Sequence, residues 1–148
     1  MLYEHKRTEN VLTLHIPDDL TGHDRWLDVT ITPNGVMVLD LVTGRGTILG
    51  SKATSHTQLA GRLAALHEGE RATIGFPGRP KILVTAIDDH TCEIAWIDAT
   101  GQESGVMLLT MTDLTRLLQK AGGYIDKPEP RFVVFVMDPA EVEAASAC

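Results

Sequence analysis

His15, Asp18, Asp19, His23 and Asp24 are the densest gathering of metal-type side chains in the sequence. Imidazole and carboxylate together hold zinc, manganese or iron, and a divalent site needs three or four of them converging. These five run from a strand end into a loop without regular spacing, which is also how a solvated turn is composed. A metal-dependent hydrolase built on this loop is therefore a distant reading. Asp88, Asp89 and His90 precede Cys92, so a thiol stands near a basic group. Paired carboxylates between strand-like runs also make an ordinary exposed turn, and Cys92, alternating with Glu93, reads as a small core residue. The stretch GRGTILGSK at 44–52 has the look of a phosphate loop. Its lysine falls one place late, no Ser or Thr follows it, and an apolar triplet interrupts the loop, so a turn and an edge strand account for it better.

Arg71, Phe76, Arg79 and Lys81 lie in a window free of acidic residues. Basic side chains around an aromatic ring on a β-ribbon are one way to hold a single strand or another anionic ligand. A solvated edge hairpin has the same composition. No catalytic residue and no cofactor are expected from any of these patterns.

With 148 residues the chain has the length of a single domain. Aromatic residues make up only 5%, so the core must be aliphatic, with Trp26, Trp96, Phe76, Phe132 and Phe135 as its few large rings. The net charge of −7 is spread over both halves, and a phosphate-binding face would work against that field. Two cysteines, Cys92 and Cys148, are too few for a disulfide scaffold. The polar amino terminus does not read as a signal peptide, and no apolar run approaches the roughly 20 residues needed to span a bilayer. The expectation is a cytoplasmic protein with no membrane contact.

The element that organises the chain is GQESGVMLLTMTDLTRLLQKAGG at 101–123. Leu114, Leu117, Leu118 and Ala121 fall on one helical face, and Thr110 with Asp113 has capping-box spacing. Gly122 and Gly123 supply a stop. Upstream, residues 1–10 read as an irregular polar start. Strands are expected at 11–16, 27–32, 36–42 and, as a short edge, 47–49, with a tight turn at Pro33, Asn34 and Gly35. Ser55 and Gln58 then open a second, weaker helix carrying Leu59 and Leu63 and interrupted by Gly61. Strands follow at 71–76, 82–87, 92–97 and 106–109. Thr57, Gln58, Leu59 and Leu63 match Thr112, Asp113, Leu114 and Leu118 at a spacing of about 55 residues. The expected fold is α+β, a mainly antiparallel sheet with two amphipathic helices, as two four-strand-plus-helix units at 11–69 and 71–123 within one domain, 1–148. Convergent patterning accounts for the match as well as duplication does. After the stiff connector at 126–130 comes an apolar strand at 132–137 and a flexible tail at 138–148.

Residues Gly105, Val106, Met107, Leu108, Leu109 and Thr110 running into a leucine helix resemble the strand-to-helix junction of single-strand-binding modules of the positive-cofactor-four and whirly type. That resemblance implies a nucleic-acid or nucleotide-binding module using the basic ribbon of Arg71, Phe76, Arg79 and Lys81. The first reading remains a non-catalytic binding or interaction protein, of regulator or inhibitor type, that presents an acidic surface to a protein partner. A homodimer is also expected, because the apolar segment at 132–137 invites strand pairing.

Overall fold

The computed structural model describes residues 1–64 and 66–125. The expected strand at 132–137 and the tail at 138–148 lie outside the described residues. The fold is α+β. Strands β1 (Tyr3–Arg7), β2 (Leu12–Pro17), β3 (Arg25–Ile31), β4 (Val36–Thr43) and β5 (Ile48–Ser55) form a five-stranded antiparallel sheet in sequence order. Helix α1 (His56–Ala64) follows it. Strands β6 (Arg71–Ile74), β7 (Lys81–Ala86), β8 (Thr91–Ile97) and β9 (Glu103–Thr110) form a four-stranded antiparallel sheet, and helix α2 (Met111–Tyr124) closes the described chain. No helix among the described residues is long and apolar enough to cross a membrane.

Strict alternation builds the core. Leu12, Leu14 and Ile16, then Leu27, Val29 and Ile31, then Met37, Leu39 and Leu41 all point to one side of the first sheet and are fully buried. Ile82, Val84, Ile94, Trp96, Met107 and Leu109 do the same in the second. Each helix starts on a side-chain cap: Ser55 Oγ accepts the Gln58 N–H and Thr110 Oγ1 accepts the Asp113 N–H, both at 3.1 Å. Leu59 and Leu63 of α1, and Leu114, Leu117 and Ala121 of α2, bury the apolar faces.

The two sheets share local geometry at matching positions. Thr43 and Thr47 close one turn around Gly46 (φ +80°), and Asp98 and Gln102 close the other around Gly101 (φ +91°). A register shift follows Leu41 in β4 and Trp96 in β8. The strand opposite then presents Gly50 in one case and Gly105 in the other. These glycines let the sheets meet. Trp96 packs where a Cβ on Gly50 would stand, and Leu41 Cδ2 lies 3.2 Å from where a Cβ on Gly105 would stand.

Four local details differ from expectation. Residues 3–7 form a strand with no apolar alternation of its own, all of it exposed. It is held from outside: Leu2 is buried, Glu4 reaches Lys120 at 3.7 Å, and the Arg7 guanidinium lies 5.5 Å from the Tyr124 ring centre. Strand β5 runs the whole length of β4 instead of stopping at Leu49, because register with β4 continues as far as Val36 and Ser55. Strand β6 ends at Ile74, where Gly75 takes φ +144° and Pro77 follows, so Phe76 leaves the sheet. Helix α2 runs through Gly122 and Gly123 to Tyr124, whose hydroxyl donates to Thr8 O at 2.9 Å. Neither glycine takes a positive φ, so neither is the stop.

Candidate functional site

The alternation that buries one side of the five-stranded sheet turns a second set of side chains to solvent. Register places Tyr3 of β1 opposite His15 of β2, His15 opposite Asp28 of β3, Asp28 opposite Asp40 of β4, and Asp40 opposite Ser51 of β5. One row thus crosses all five strands. Trp26, two residues from Asp28 on β3, stands beside it. The Tyr3 and His15 rings lie 4.9 Å apart and the His15 and Trp26 rings 5.5 Å apart, with His5 6.5 Å from His15.

Asp28 ties the rings together. His15 Nδ1 donates to Asp28 Oδ1 at 2.8 Å, and Trp26 Nε1 donates to Asp28 Oδ2 at 3.2 Å. The contact fixes His15 with its Nδ1–H toward the carboxylate. The side chain of Asp28 keeps 34% of its surface exposed and Tyr3 47% of its own, so the row is accessible. Carboxylates directly opposite on neighbouring strands repel, and Asp28 faces Asp40 across the β3–β4 pair. Aromatic faces beside two carboxylates form a surface that attracts a cation both through ring quadrupoles and through charge.

The five metal-type residues take separate partners. His15 belongs to the row just described. Asp18 is buried, and it accepts from Thr21 N (3.0 Å), Thr21 Oγ1 (2.6 Å) and Arg25 Nε (2.6 Å). Burial alone would raise its pKa; the hydrogen bonds from Thr21 and Arg25 outweigh that and hold it below the usual carboxylate value. Asp19 binds the amino terminus, the Asp24 carboxylate lies over Gly44, and His23 sits in the exposed loop with its N–H on Thr21 Oγ1 at 3.4 Å. No group of three or more His, Cys, Asp or Glu that could hold a metal ion occurs among the described residues.

The basic window is divided. Phe76 and Arg79 line a cleft of about 320 Å³ with Lys52, Gln58, Ile74 and Pro80. Arg71 is exposed on β6, and Lys81 packs over Gly75. Asp88 accepts the His90 N–H at 2.7 Å in an exposed turn, and that bond, first among its causes, lowers its pKa. Cys92 faces the core, where burial pushes its thiol up to about 12, so it does not ionise near neutral pH. A second, apolar groove of about 440 Å³ lies between the helices, lined by Ala60, Leu63, Met111, Leu114, Thr115 and Leu118 among others.

Tyr3, Trp26, Asp28 and Asp40 were not singled out as site residues by sequence. The alternation in β2 and β3 shows which side chains share a face, but the row exists only once the strands are in register. No family model, curated protein or solved structure matches this chain. The site is read from its own chemistry.

Proposed function

We propose that the protein is a non-catalytic interaction protein that binds a basic, extended polypeptide segment on the solvent side of its five-stranded sheet. The observation that carries this reading is the Tyr3–His15–Asp28–Asp40 row, with three rings in contact and two carboxylates opposite one another. A cationic side chain lying over Trp26 would stack on the ring and sit between the carboxylates, relieving their repulsion. A small cation alone is a poorer fit, because small-molecule sites are concave and this face is an open sheet. An extended chain presents alternate side chains to one face, so arginines or lysines at every second position meet the row together. The chain's overall negative charge draws such a partner in.

Trp26 reports on binding because it stands beside the row, whereas Trp96 is fully buried. Titration with an alternating arginine–serine peptide is expected to change Trp26 emission, with affinity falling as salt rises. An Asp28→Asn/Asp40→Asn variant is expected to bind roughly 10-fold or more weakly, and Trp26→Ala similarly. Equal affinity for an alternating glutamate–serine peptide, or full affinity in the double-asparagine variant, would remove this reading. A dimer through residues 132–137, the other partnership expected from sequence, concerns a segment outside the described residues.

A further inference from the structure

The two halves of the fold correspond at their sheet edges, and there they differ in one respect. Ile16 pairs with Leu27, which pairs with Leu41; Ile74 pairs with Ile82, which pairs with Trp96. Asp113 and Gln58 occupy the same capped turn of their helices. Beside Ile16 and Asp113 lies Leu2, fully buried, its N–H donating to Asp113 Oδ1 at 3.0 Å. Leu2 heads β1, which then runs antiparallel along β2. Beside Ile74 and Gln58 there is instead the cleft of about 320 Å³. Among the described residues, strand β6 pairs with β7 alone. Ala86 N donates to Glu70 O, so by antiparallel alternation Ala72 and Ile74 bond toward β7, and Arg71 and Thr73 turn their N–H and C=O groups to the open edge.

We propose that residues 132–137 of this same chain complete that edge, pairing antiparallel to β6 with Phe132 seated in the cleft as Leu2 is seated beside Ile16. Three observations select this occupant. The last turn of α2 lies beside the start of α1, the helix that lines the cleft through Gln58: a Cβ on Gly122 would lie 3.8 Å from His56 Cε1, two residues before Gln58. Residues 126–131 give the chain beyond Ile125 a reach of about 20 Å when extended. Charge agrees as well. Residues 71–87 contain no acid and include Arg71, Arg79 and Lys81, while the stretches flanking the apolar run carry Asp126, Glu129, Asp138, Glu141 and Glu143 against Lys127 and Arg131, a net negative charge. The helix–helix groove is a poorer seat, because an extended strand laid there would leave its backbone N–H and C=O groups without partners. The β6 edge supplies those partners.

The test uses the full-length, isotope-labelled chain. Nuclear Overhauser contacts are expected between residues 132–136 and 71–74. The Arg71 and Thr73 amides are expected to exchange on the order of 100-fold more slowly than in a Phe132→Asp variant. Circular dichroism of that variant should show both sheets and both helices of the described residues retained. Three results would overturn the proposal: contacts from residue 132 to Leu63 and Leu118 of the groove, edge amides whose exchange the substitution leaves unchanged, or contacts seen only between differently labelled chains in a mixed sample. The last would assign the edge to a second copy.

Discussion

Gly50→Ala is expected to destabilise the protein by about 3 kcal/mol, lowering its melting temperature by roughly 10 °C. A Cβ there would clash with Cγ, Cδ1 and Cδ2 of Trp96, which is fully buried at the meeting of the two sheets. Neither side can give way, since Gly50 is held in register with Leu41 and Trp96 in register with Gly105. The matching contact at Gly105 is with the flexible end of Leu41 at 3.2 Å, so Gly105→Ala should cost less. Trp96→Leu places a leucine where the first half already uses one. It opens a cavity in the wild-type background, but in the Gly50→Ala background it should recover stability, the signature of two residues in contact. If calorimetry shows Gly50→Ala melting with the wild type, the sheets do not meet at Gly50 and Trp96.

Leu117→Ala should cost about 2–5 kcal/mol, read from the urea midpoint. Leu117 is 1% exposed and joins the core cluster that spans both sheets. Sequence periodicity places Leu118 on the same face, yet it is only partly buried and lines the groove against α1. Leu118→Ala should therefore cost about 1 kcal/mol, since little of its contact surface is removed from water. An equal loss at the two positions would mean that α2 is rotated about its axis, with Leu118 turned as fully into the core as Leu117.

Regular alternation and capping were legible in the sequence alone. Leu12, Leu14 and Ile16 show the buried side of β2 by spacing, and Thr110 with Asp113 marks the start of α2 where the hydrogen bond is found. What the sequence hid depends on distant partners. Strand β1 has no pattern of its own and exists because Leu2, Glu4 and Arg7 find Asp113, Lys120 and Tyr124 more than a hundred residues away. Gly122 and Gly123 signal a stop that Tyr124 overrides through Thr8. The candidate site followed the same rule. His15 was visible as a chemical group, but its neighbours were sought along the chain, at Asp18 and His23, and lie across it, at Tyr3, Trp26 and Asp28. Register is a property of pairing, and a single strand does not carry it.

The central claim is that the solvent side of the five-stranded sheet is the binding surface, and the two indole N–H resonances test it most directly. Trp26 Nε1 donates to Asp28 within the row, whereas Trp96 Nε1 is buried with no hydrogen-bond partner among the described residues. On titrating the labelled protein with the arginine–serine peptide, the Trp26 indole signal and the amides of Tyr3, His15, Asp28 and Asp40 should shift together, with the Trp96 indole unmoved. Shifts confined to the cleft at Lys52, Phe76 and Arg79 or to the groove between the helices, or no shift at any residue, would contradict the claim.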